Sequence, residues 1–86
     1  MPEEKKHSRD IIGKVIVSKS GKKFGSVGDI VFETRTGELI YLLVDKPTEF
    51  VNSLNLEKSR DGAFMVPFSS VISIGDFVII SEEDII

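Results

Sequence analysis

The residues that could do chemistry are few and scattered. The sequence has 86 residues, no cysteine and one histidine, His7, which sits in a charged N-terminal stretch. Nucleophilic or metal-assisted catalysis needs a base beside its nucleophile or a cluster of ligands, and neither is in sight. Ser69 and Ser70 are hydroxyls with no base near them in sequence and read as turn or cap residues. The carboxylates Asp29, Glu33, Glu38, Asp45 and Glu49 follow no spacing that marks a glycosidase-type pair or a cation site. Glu82-Glu83-Asp84 reads as a solvated acidic run. Three glycines in Gly21-Lys22-Lys23-Phe24-Gly25-Ser26-Val27-Gly28 suggest a phosphate loop, but the spacing fits neither the dinucleotide fingerprint nor the Walker loop. No helical pattern follows to offer its N-terminus. Lys19, Lys22 and Lys23 beside Phe24 are the one hint of nucleic-acid contact, because small barrels bind RNA with basic and aromatic residues together. Against it stands a net charge of −3, which leaves no basic footprint. No catalytic residue, cofactor or metal is expected.

The elements that must carry these residues read as β throughout. Met1 to Asp10 is polar and is expected to be a disordered tail. A domain is expected over 11–81 and a short acidic tail over 82–86. Lys14 to Ser18 is a β-branched run, followed by a turn with Gly21 in the left-handed position. Phe24 to Thr34 reads as a long strand bulged or bent near Gly28. Gly37 makes a tight turn, and Leu39 to Val44 is an unbroken apolar strand. Lys46 to Gly62 is a packed loop with Phe50, Val51, Leu54 and Leu56 to bury. Ala63 to Val66 ends at Pro67. Val71 to Ile74 and Phe77 to Ile80 flank Gly75-Asp76, whose order suits a type II′ hairpin. About six short strands with no helical period predict a small closed or nearly closed barrel. The longest apolar runs are too short to span a bilayer, and the N-terminus lacks a signal-peptide core. A cytoplasmic protein without direct membrane insertion is expected.

Side chains alternate across a strand, so parity sorts them into faces. Val15, Val17, Ile40, Leu42, Val44, Val78 and Ile80 are expected inside. Ile16, Leu39, Tyr41, Leu43, Phe77 and Ile79 are then expected on the outside, where a monomeric barrel would carry polar residues. Either the loop from Lys46 to Gly62 folds back over them, or another protein does. A domain this small has a thin core, and large exposed apolar patches mark interaction sites. These six residues are therefore the candidate protein interface, with a homodimer or higher self-assembly expected.

The motifs carry a resemblance. Ile12-Gly13-Lys14-Val15-Ile16-Val17-Ser18, Gly21 to Phe32, and Thr36-Gly37-Glu38-Leu39 resemble the PRC-barrel family. So do Val66-Pro67-Phe68-Ser69-Ser70 and the strands on either side of Gly75-Asp76. The resemblance covers nearly all of 11–81 and implies an all-β, six-stranded barrel, usually without enzymatic activity. Family members include the cytoplasmic domain of the reaction-centre H subunit, which carries a membrane helix. They also include the C-terminal domain of the ribosome maturation factor RimM, and free-standing single-domain proteins. Length favours the last group. Its archaeal members imply an adaptor in cell division that associates with a related PRC-barrel protein and with SepF, the membrane anchor of the FtsZ ring. The alternative is an RNA- or ribosome-associated assembly module like the RimM domain.

Overall fold

The computed structural model describes residues 10–84. The tail expected over 1–10 therefore lies, but for Asp10, outside the described residues, as do Ile85 and Ile86. Six strands form one sheet: β1 (Val15–Ser18), β2 (Lys23–Phe32), β3 (Leu39–Asp45), β4 (Met65–Pro67), β5 (Val71–Ile74) and β6 (Phe77–Ile80). Their order is β4-β3-β2-β1-β6-β5. All pairings are antiparallel except β1 with β6, which joins the first and last strands in parallel.

The sheet bends hard along β2. The first part of this strand pairs with β1 and the remainder with β3, sharing Ser26 between them. Gly25 sits at φ +146°, and a Cβ there would lie 2.7 Å from both Asp45 O and Val44 Cγ1. A Cβ on Gly28 would lie 2.8 Å from Asp45 Cβ. The end of β3 thus presses against β2 where only glycine fits. Gly28 is also the extra residue of a bulge, because the register steps from Val27↔Val44 to Asp29↔Leu43. The bend expected near Gly28 is therefore present, and bulges of this kind curl a sheet toward a barrel.

The curl stops short of hydrogen-bonded closure. The edge strands β4 and β5 are instead joined through the chain itself, by a 3-10 turn at Phe68–Ser70. Ser70 is buried, donates its hydroxyl to Pro67 O at 2.6 Å and accepts from Ser81 N at 2.8 Å through its carbonyl. The strap so formed pins both edges to the end of β6. The hairpin at Gly75-Asp76 departs from type II′. That turn needs positive φ at its first central residue, and Gly75 does not have it. The turn carries instead a bond from Gly75 N to Phe77 O at 2.9 Å.

The core fills the concave side. Ile16, Phe24, Val27, Leu42, Val51, Val66, Val78 and Ile80 are all sealed there. The segment after β3 contributes to this core. A single helical turn, Glu49–Asn52, buries Val51 and brings Phe50 edge-on to Phe24 with ring centroids 5.6 Å apart. Thr48 anchors the turn to β2, its N–H bonding Phe24 O and its hydroxyl Lys23 O. Leu54 and Leu56 pack against the same cluster. The packed loop expected at 46–62 therefore lids the concave side, not the outer rows.

Candidate functional site

The convex side follows from the registers. On one half, β1 and β6 place Val15 beside Phe77 and Val17 beside Ile79. On the other, Leu43 lies between Asp29 and Met65, and Tyr41 between Val31 and Pro67. The two apolar patches are separated by a polar strip of Ser26, Asp45 and Asp29, in which Ser26 pairs with Asp45 and with Val15. Most of the patch residues are half-buried by their neighbours, while Phe77 is 50% exposed.

Four of the six expected interface residues lie on this surface, divided between the patches: Phe77 and Ile79 in the first, Tyr41 and Leu43 in the second. Two do not. Ile16 is fully buried in the core, so the parity assigned to β1 is inverted, and Val15 and Val17 face outward in its place. The cause is Ser18. As a polar residue it marks an outward position, but it is buried, with its hydroxyl satisfied by Lys22 N and Ser20 Oγ, each at 3.0 Å. A serine that finds its partners in the adjoining turn carries little cost inside. Leu39 also leaves the outer row and packs against the core. The register steps from Val31↔Tyr41 to Phe32↔Leu39, so Ile40 is an extra residue and the alternation flips across it. Ile40 itself, expected inside, is exposed.

The residues that parity missed are Val15, Val17, Val31, Met65 and Pro67. Met65 and Pro67 had a signal: they alternate with Phe64 and Val66, which are buried. Of the lysines at the first turn, Lys19 forms an ion pair with Glu83 at 2.8 Å, and Lys22 sits 5.8 Å from the centroid of the Phe50 ring. The Glu83 carboxylate, hydrogen-bonded to Lys19, raises the Lys19 pKa, and the same contact lowers that of Glu83. Both groups are on the surface, where such pairs are weak and screened by salt.

Among the described residues, no three or more His, Asp or Glu side chains gather to hold a metal. No helix is long and apolar enough to cross a membrane, again among the described residues. The geometry defines a small, strongly bent β-barrel-type domain whose distinctive chemistry is apolar surface on its convex side. The chain belongs to the PRC-barrel domain family, whose model matches residues 3–84, nearly its whole length. The PRC-barrel fold is generally non-catalytic and supports a role as a small binding or adaptor module. It is similar to the uncharacterized protein MJ1118 of Methanocaldococcus jannaschii, 30% identical over 82 residues that cover 95% of this chain and 88% of the relative.

Proposed function

We propose that this protein is a non-catalytic adaptor that self-associates through its convex face. The observation that carries the reading is the pair of apolar patches, one on β1 and β6 and one on β2, β3 and β4, facing away from a core already lidded by residues 49–56. Each outer side chain that goes from exposed to fully buried contributes roughly 1.5–3 kcal/mol, which is large beside a typical domain stability of about 5–15 kcal/mol. The specific form of this reading is the cell-division role implied by the resemblance, with a related PRC-barrel protein and SepF as partners.

Light scattering across a concentration series tests the association. The wild type is expected to exceed its chain mass of 9.5 kDa. Tyr41→Glu and Phe77→Glu are expected to lower the mass of the assembly by removing the convex-face contact, with an unchanged circular dichroism spectrum, because a charge buried in an interface is costly. A wild type that stays monomeric into the high micromolar range overturns the reading. A binding titration with purified SepF tests the specific role.

A further inference from the structure

A sheet that does not close through hydrogen bonds keeps two edges, and this chain treats them differently. Beyond β4 the chain returns on itself. Met65 N donates to Glu57 O at 2.8 Å, Ser59 N to Ala63 O at 2.7 Å, and Lys58 forms an isolated antiparallel bridge with Phe64. Pro67, which has no N–H to offer, completes the protection of that edge. Beyond β5 nothing comparable exists among the described residues: no backbone hydrogen bond reaches Val71–Ile74 from that side. Ile72 and Ile74 are 55% and 42% exposed. The strand carries no charge and no proline, two of the devices that guard an open edge; it is four residues long and bulged once, so the pairing it can offer is short. Ile72 is the extra residue of a bulge and has no register partner on β6.

We propose that β5 is a strand-pairing site for a second copy of this chain, the two β5 strands running antiparallel across a two-fold axis with Ser73 opposite Ser73. An antiparallel pair related by a dyad offers the same donors and acceptors from both sides, so one edge is its own complement. The register sets Ile72 of each copy opposite Ile74 of the other and unites four exposed isoleucines in cross-strand pairs. It also separates the two Asp76 carboxylates to opposite ends of the new ladder, whereas a parallel pairing would set them side by side. The inference rests on the self-association reading but uses different residues from the convex face.

The chain has no cysteine, so Ser73→Cys introduces a single thiol. Residues directly opposite in an antiparallel pair have Cα atoms roughly 4.5–5.5 Å apart, inside the roughly 4.4–6.8 Å range that a disulfide spans. Under mild oxidation, S73C is expected to form a covalent dimer at least about tenfold faster than S53C, a control at an exposed serine, because pairing raises the local thiol concentration. Adding Ile74→Lys is expected to bring S73C down to the control rate, and adding Tyr41→Glu or Phe77→Glu to leave it unchanged. Equal rates for S73C and S53C in a protein that still associates overturn the edge pairing and leave the convex face standing. Cross-linking lost on Tyr41→Glu but kept on Ile74→Lys also overturns it, by moving the contact to the convex face. Equal rates in a protein that is monomeric overturn both. Slow cross-linking together with binding of an unrelated extended peptide at β5 gives the edge a different occupant and overturns the second copy.

Discussion

The two faces of this sheet are built from the same residue types on the same strands, yet they end differently. On β1, Ile16 is sealed while Val15 and Val17 on either side of it are half-exposed. On β3, Leu42 is sealed and Leu43 is not; on β6, Val78 and Ile80 are sealed and Phe77 and Ile79 are not. Hydropathy does not separate these sets. Curvature does. On the concave side the side chains converge on one another and on Val51 and Phe50 from the returning segment. On the convex side they splay, and each keeps part of its surface wet. Burial in a bent sheet is thus set by which way the strand is turned, and an apolar convex face holds stabilisation that only another surface can release.

A matched pair of truncations gives the sharpest test of that contrast. Ile16→Ala is expected to cost about 2–5 kcal/mol, the range for emptying a closed core position. Its neighbour Val17→Ala is expected to cost less than about 1 kcal/mol in the monomer, because little cavity forms at an open site. Urea titrations at protein concentrations too low for association measure both. Equal losses would erase the distinction between the faces.

A smaller effect is expected where β3 ends. Lys46 has φ +51°, the single non-glycine residue with positive φ among the described residues. A left-handed conformation costs a side chain roughly 1–2 kcal/mol, and glycine's own entropy offsets part of that relief. Lys46→Gly is therefore expected to gain about 0.5 kcal/mol, seen as a raised urea midpoint with unchanged slope. No gain would mean that the lysine side chain contributes an interaction beyond its backbone.

The smallest effect belongs to a contact outside both faces, the Lys19–Glu83 pair. The Glu83 pKa is lowered on folding, so its contribution holds above the ordinary carboxylate value and is lost as pH falls through the lowered one. The Lys19 pKa is raised, so its contribution holds below the ordinary lysine value and is lost as pH rises through the raised one. Both groups lie at the surface, and added salt is expected to screen the pair. Glu83→Gln is expected to leave neutral-pH stability unchanged within error and to flatten the acid limb slightly. A clear loss at neutral pH would show that the acidic turn does more than lie on the surface.

The β character, the strand positions and the bend at Gly28 were legible, because glycine spacing and β-branched runs act locally. The facing of individual residues was not. Ser18 looked outward because its hydroxyl is polar, and only the turn that follows shows that its partners are internal. Leu39 looked outward because six apolar residues in a row carry no mark of the bulge at Ile40. Phe50 and Val51 announced that they needed burial, but not which side of the sheet would receive them. Gly75 suggested a left-handed turn that the hairpin does not use. The misses at Ser18 and Leu39 arise where a satisfied hydroxyl or a backbone irregularity overrides simple alternation. The β3 and β6 residues Tyr41, Leu43, Phe77 and Ile79 face outward as alternation predicts, because no irregularity falls among them.

The parallel pairing of β1 with β6 has a mechanical consequence. The chain enters β1 at one end of the domain and leaves β6 at the other, with Val15 beside Phe77 and Ser18 beside Ile80. A pull on the two flanking segments loads all rungs between these strands at once, in shear, so they cannot be unzipped one by one. A protein joining larger assemblies would hold under tension at the seam where its first and last strands meet.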